Sequence, residues 1–293
     1  FVYARLARIY PPYWVYFFIT LAVFLAMPEW VNSGYTEPNL WKSFLLIPDK
    51  TLPLVMVAWS LIFEMWFYLV FTSFMLCRER HLPWILAGWA CLIICANLIL
   101  ELSSLSPALR IALHPFAIEF VMGGFIALFY FSPLSEHVSN RMAVAMLLFV
   151  PLIGVPVGYS FGLFRGDGLI RVFSLGCLFG MLTIGATLLE RREKLSVPSL
   201  MVAIGDSSYT TYLAHLLVIG AVGKLWVLLG LSASNLINNL AFLVIMFLAV
   251  MIYGLVAFRL IEEPLMNSAN HLGKRLFRKK QQDTATLTAK TIK

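Results

Sequence analysis

Charge is what this chain has least of. Of its 293 residues only 13% are Asp, Glu, Lys or Arg, while 60% are hydrophobic. A soluble domain carries about twice that charged share, so a water-soluble fold is excluded. The mean hydropathy of +0.85 agrees. Cysteine is scarce as well: Cys77, Cys91, Cys95 and Cys177 form no CxxC and meet no paired histidines, so neither a disulfide framework nor a metal site follows. Cys91 and Cys95 share a helix face inside an apolar run, where inert packing is the expected role. No Walker A loop, GxSxG elbow, HExxH pair or GxGxxG turn stands in a usable context. No long soluble stretch interrupts the chain. It opens on Phe1 rather than Met, and the expectation is a piece of a longer protein.

What is present is a series of long apolar segments. They run near Pro12–Met27, Pro53–Leu76, Trp84–Leu100, Pro115–Phe131, Met142–Tyr159, Ile170–Leu189, Ser207–Gly230 and Leu236–Phe258. Each reaches or approaches bilayer-spanning length at about 1.5 Å rise per residue. The expected fold is all-α, a polytopic transmembrane bundle with about eight spans visible. Pro151, Gly154, Pro156 and Gly158 predict a kink or break in the fifth. Residues 1–269 form the expected membrane domain, and 270–293 a basic, disordered cytoplasmic tail.

The net charge of +7 reflects orientation and calls for no nucleic-acid partner. Sixteen lysines and arginines, including Arg5, Arg8 and those of the tail, fall on one side of the spans. Five, namely Lys42, Lys50, Arg110, Arg165 and Arg171, fall on the other, and Lys224 lies within a span, from which it snorkels outward. By the positive-inside rule both ends of this sequence face the cytoplasm of a bacterial inner membrane. Tyr10, Tyr13, Trp14 and Tyr16 read as an aromatic belt at the cytoplasmic interface.

Three polar stretches break the apolar background. The first is Arg5-Leu6-Ala7-Arg8, two arginines at i and i+3. Guanidinium forks match phosphate oxygens, although a bare RxxR also serves as a simple lipid anchor. The second is Trp59 to Tyr68, where Ser60, Glu64 and Tyr68 fall at i, i+4 and i+8 on one helix face. A mid-membrane acid costs about 2.5–3.5 kcal/mol and faces a cavity or a partner, as a site or as a structural tie. The third runs from Gly205 to His215. Asp206 or Ser207 reads as the helix N-cap, and Ser208, Thr211, Tyr212 and His215 share a face. A neutral imidazole at that depth acts as a base or orients a carbonyl, or is a hydrogen-bonded core residue. Gly123-Gly124, one turn after Glu119, predicts close helix packing. Ile261-Glu262-Glu263-Pro264 reads as interfacial charges with Pro264 ending the last helix.

Taken in order, RLARIYPPYW, WSLIFEMWFYLVF, IGDSSYTTYLAH and IEEP resemble the motifs of the acyltransferase 3 family of integral membrane O-acyltransferases. The resemblance extends from Arg5 to about Pro264. It implies transfer of an acyl group, usually acetyl, from acetyl-CoA or another acyl-CoA co-substrate, with no permanently bound cofactor, to a hydroxyl of a glycan or lipid-linked saccharide outside the cytoplasm. It assigns Arg5 and Arg8 to the acyl-donor side. Trp59, Ser60, Glu64 and Tyr68 match a central W-[ST]-L-x-x-E-x-x-x-Y pattern, and Tyr209, Tyr212 and His215 a late S-Y-x-x-Y-L-x-H pattern. Glu64, His215, Tyr68 and Tyr212 are then the expected catalytic groups, with Trp59, Ser60 and Tyr209 supporting them. The resemblance implies about ten spans and a catalytic first-span histidine, the general base, eleven residues after Arg or Lys. The residues eleven before the five histidines here are Val70, Ser103, Ile126, Ile204 and Leu260, so that histidine is expected ahead of Phe1. The alternatives are a proton-coupled transporter using Glu64, Glu119 and His215 as a relay, and a non-catalytic remnant of the enzyme. A proton relay has no use for RxxR, which favours the enzyme.

Overall fold

The computed structural model describes residues 1–32, 37–231 and 235–275. Of the tail expected to be disordered over 270–293, residues 270–275 continue the last helix, and 276–293 lie outside the described residues. The described chain is helical with no strand. Eight of its helices are long and apolar enough to cross a membrane: Val2–Ala26, Met56–Phe74, Glu79–Ile99, Pro107–Phe131, Asn140–Ser160, Leu169–Arg191, Ser208–Leu228 and Leu236–Arg275. All eight expected segments are there. Their backbone hydrogen bonds close within each helix, which is what hydrocarbon demands.

Prolines inside these helices are absorbed rather than obeyed. Pro11 and Pro12 lie within the first span, which starts well before Pro12. Each lacks an N–H, so the Ala7 and Arg8 carbonyls lose their usual helical donors. In the fifth span a π turn over Val150–Gly154 takes up Pro151, and the helix continues to Ser160. This is a local widening, not a break. Pro264 does not end the eighth helix, contrary to the sequence reading: a π turn at Phe258–Glu262 precedes it and the helix runs on to Arg275.

The chain divides into two compact units, one made of Phe1–Ile62 with Pro198–Lys293, the other of Phe63–Val197. In the first unit the aromatic residues of the first span do something other than form a belt. Tyr13 and Tyr16 are fully buried. A short helix, Leu40–Leu45, folds back against this span; the Leu46 N–H reaches Ser43 O at 3.3 Å, and ring donors of the first span reach its last three carbonyls. Tyr13 donates to Ser43 O at 2.5 Å, Trp14 to Phe44 O at 3.2 Å and Tyr10 to Leu45 O at 2.9 Å. The Trp14 ring also stacks on Phe44 with centroids 5.2 Å apart. Three ring donors thus cap one helix end. Within the same segment Lys42 and Asp49 pair at 2.9 Å.

Ser43 carries the connection forward. Its hydroxyl oxygen accepts the Leu54 N–H at 3.0 Å in a buried position, which fixes where the next span begins. Beyond it the Lys224 ammonium rests on the Trp30 ring, 2.8 Å from its centroid, as a cation–π partner.

The second unit is built on apolar and aromatic contacts. Ile93, Ala117, Ile118 and Val172 form a buried cluster flanked by Phe67, Trp89 and Phe116. Phe67 stacks on Phe120 at 4.8 Å. Of the expected glycine pair, Gly124 meets Leu86, where an added Cβ would stand 3.0 Å from the leucine methyl, while Gly123 faces open space. Cys91 and Cys95 share a face with sulfurs 4.0 Å apart, but that face is exposed, not packed.

Ser43→Ala removes the acceptor for a buried amide. It is expected to cost about 1–3 kcal/mol, read as a lowered melting temperature in detergent; an unchanged melting curve would show that Leu54 finds another partner.

Candidate functional site

At one end of the first span, Arg5 and Arg8 line a cleft of about 280 Å³ with Ala7, Met266 and Asn270. The i,i+3 spacing puts both guanidinium groups on one wall. The opposite wall belongs to the extension of the eighth helix past Pro264. Tyr3 holds that wall in place by donating to Ala269 O at 2.7 Å. The donors and the size suit a phosphate-bearing group.

Glu262 lies one helical turn before Met266. It is 1% exposed, so the expectation of an interfacial charge is overturned. The π turn at Phe258–Glu262 shifts the helical register and sets its carboxylate against the start of the seventh span. One oxygen accepts both the Thr210 N–H at 3.2 Å and the Thr210 hydroxyl at 2.5 Å. Thr210 is the third residue of that helix, so Glu262 satisfies an amide that has no helical acceptor. The sequence assigned capping to Asp206 or Ser207. Ser207 does occupy the N-cap position, but its hydroxyl turns back to Ile204 O at 3.1 Å, and Asp206 closes the preceding short helix. The capping group comes from a different helix. Arg8 lies within electrostatic reach of Glu262. Beside them the buried Tyr16 hydroxyl lies near Thr210 and Tyr253.

Just before Thr210 in the same helix, Tyr209 donates to Ile9 O at 2.8 Å, next to Arg8 in the chain. One turn on, the Tyr212 hydroxyl meets Val57 O at 2.7 Å and Ser60 Oγ at 2.6 Å. Ser60 Oγ is itself 3.2 Å from Val57 O. Two hydroxyl protons therefore serve three oxygens, and the shorter path has Tyr212 donating to Val57 and Ser60 to Tyr212. Sequence spacing placed Ser60 and Tyr212 in separate motifs; the fold brings them together. Val57 belongs to a short 3-10 turn, Met56–Ala58, ahead of the helix Trp59–Phe74. Trp59, in its first turn, is 40% exposed.

His215 follows Tyr212 by three residues. Its Nδ1 sits 2.7 Å from Tyr212 O. A carbonyl only accepts, so Nδ1 carries a hydrogen and, in the neutral ring, Nε2 keeps its lone pair. The Tyr212 and His215 rings lie 5.8 Å apart. In the second unit the stripe read from the sequence closes on itself: the Tyr68 hydroxyl donates to the Glu64 carboxylate. The indole N–H of neighbouring Trp66 is buried without a partner among the described residues. Glu119 feels the charge of Arg171 instead.

Sequence reasoning missed Glu262 and Thr210. The IEEP signal was visible, but nothing in it announces a π turn. Glu262→Ala strands two donors and is expected to destabilise the protein by about 1–3 kcal/mol and to raise amide exchange over Ser207–Tyr212. Glu262→Gln keeps an oxygen acceptor and should retain most of the protection. Equal exchange in all three proteins would rule out the cap.

Residues 1–259 match the acyltransferase 3 family, an acyltransferase domain. The exopolysaccharide production protein ExoZ of Rhizobium meliloti (strain 1021) is 29% identical over 278 residues, which is 91% of this chain and 80% of the relative. No solved structure matches. The family match covers most of the chain and the spans that carry the arginine cleft, the Tyr212–Ser60 contact and His215: this integral membrane protein belongs to the acyltransferase 3 family and is an acyltransferase.

Proposed function

We propose that the protein moves an acyl group, acetyl in the simplest case, from acyl-CoA to a hydroxyl of a cell-surface polysaccharide or its lipid-linked precursor. The exopolysaccharide function in the name of the Rhizobium relative supports a glycan acceptor. The observation that carries the reading is the presence in one unit of a two-arginine cleft and an imidazole fixed with Nε2 available. The unequal distribution of lysine and arginine supports a bacterial inner-membrane protein with both ends of this sequence, and the cleft, on the cytoplasmic side.

In this reading acyl-CoA is a co-substrate and no cofactor stays bound. Arg5 and Arg8 grip its phosphates. The thioester then lies deeper along the first span. His215 Nε2 takes the proton of the acceptor hydroxyl as its oxygen attacks the thioester carbon. A C–O bond forms and the C–S bond breaks. The departing CoA thiolate takes the proton back from the imidazolium, leaving an ester, CoA thiol and a neutral base. Stabilising the oxyanion with Ser60 or Tyr212 requires exchanging one bond of the Val57 triad, since both hydroxyl protons are engaged there. Glu64, held by Tyr68, is the other proposed acid–base group. Trp59 and Tyr209 support these groups from the helices that carry them.

The full-length protein should release CoA thiol only when acceptor is present, and the product should carry an alkali-labile ester. Replacing Arg5 and Arg8 by Ala should raise the KM for acyl-CoA about 10-fold or more while kcat holds, because charge-assisted hydrogen bonds contribute about 1.5–3 kcal/mol each. An unchanged KM in folded protein would remove the arginines from donor binding. His215→Ala should lower kcat about 100- to 10,000-fold; retention of parental kcat would sink its role as base.

A further inference from the structure

The first unit holds a second cavity, of about 80 Å³, lined by Thr20, Val55, Met56, Val57, Leu213 and Leu217 among others. Five of these six side chains are apolar, and the Thr20 hydroxyl is already spent on Tyr16 O at 2.7 Å. The volume admits a few non-hydrogen atoms and not a long chain. Its position is specific. Val57 contributes its side chain to this wall and its carbonyl to the Tyr212–Ser60 contact. Leu213 directly follows Tyr212, and Leu217 lies two residues past His215.

Length along the first span points to an occupant. Arg8 and Thr20 are twelve residues apart, about 18 Å of helix. The pantetheine arm of CoA has about twelve bonds from phosphate-ester oxygen to sulfur and contains two amides. At the reach of an extended polypeptide backbone it covers about 13–14 Å, before the thioester bond adds its own length. A donor anchored by its phosphates at Arg8 therefore brings its acyl carbon to the level of Tyr16 to Thr20.

We infer that this cavity receives the hydrocarbon end of the donor's acyl group, and that Leu217 and Met56, on opposing segments, set its length limit. The inference rests on the acyl-CoA reading above and adds the acyl class: short, unbranched and apolar at its end.

The test is a chain-length profile. The full-length protein is assayed with acetyl-, butyryl-, hexanoyl- and octanoyl-CoA, following thiol release in the presence of acceptor. The parent should favour acetyl over hexanoyl by about 100-fold or more, since each methylene in a close-fitting apolar pocket is worth about 10- to 200-fold. Leu217→Ala and Met56→Ala should each raise the butyryl-to-acetyl ratio about 10-fold or more. Leu217→Val, a smaller truncation, provides the same reading if the alanine variants do not fold. An active parent together with folded variants that keep its profile would overturn the inference while leaving acyl-CoA as donor. A parent that consumes no acyl-CoA of any length would overturn the donor reading, and this inference with it.

Discussion

In hydrocarbon a peptide carbonyl without a donor costs several kcal/mol, and the first unit is arranged around carbonyls that helices alone cannot satisfy. The Leu40–Leu45 helix ends with the Phe44 and Leu45 carbonyls reached by Trp14 and Tyr10, while Ser43 O takes Tyr13 in addition to the Leu46 N–H. Ser43 then accepts the Leu54 amide, so the same residue fixes the approach to the second span. Three residues on, Val57 presents its carbonyl to Tyr212 and Ser60. Each link follows from the one before. The position of Tyr212, and of His215 behind it, depends on a chain of satisfied backbone groups that starts on the first span.

Both π turns belong to the same account. A π turn adds one residue to a helical turn and rotates everything beyond it. At Val150–Gly154 the cause is the proline that cannot donate. At Phe258–Glu262 no proline falls within the turn, Pro264 following it by two residues, and the rotation takes Glu262 into the protein, onto the first turn of the seventh span. A regular helix through the same sequence would give that carboxylate a different heading.

Periodicity and length made the spans legible, because a bilayer imposes both. The Glu64–Tyr68 contact was legible too, since i,i+4 neighbours on one helix must meet. What was not legible has a common physical origin. An amphipathic ring serves equally well in a headgroup region or against a buried carbonyl, so Tyr10, Tyr13 and Trp14 read as a belt. Ser207 sits at the N-cap as its chemistry suggests, yet the side-chain acceptor for the first turn comes from a helix some fifty residues away in the chain. Pro264 reads as a stop signal only while the turn before it is assumed regular. Contacts between distant segments, such as Ser60 with Tyr212, carry no local pattern at all.

The treatment of Glu262 bears on the arginine cleft. A carboxylate facing an arginine ordinarily takes up its fork with a bidentate pair, which would leave little for a phosphate. Here one oxygen of Glu262 is held by the Thr210 amide and hydroxyl, at a helix N-terminus where negative charge is favoured. Arg8 is close enough to share the field yet stays exposed, and among the described residues it makes no ion pair within 4 Å. The acid is thus compensated mainly by the seventh span, and the guanidinium remains open to the cleft. That division suits the anion-binding role proposed for the cleft: the cation is tempered by a buried charge but not consumed by it.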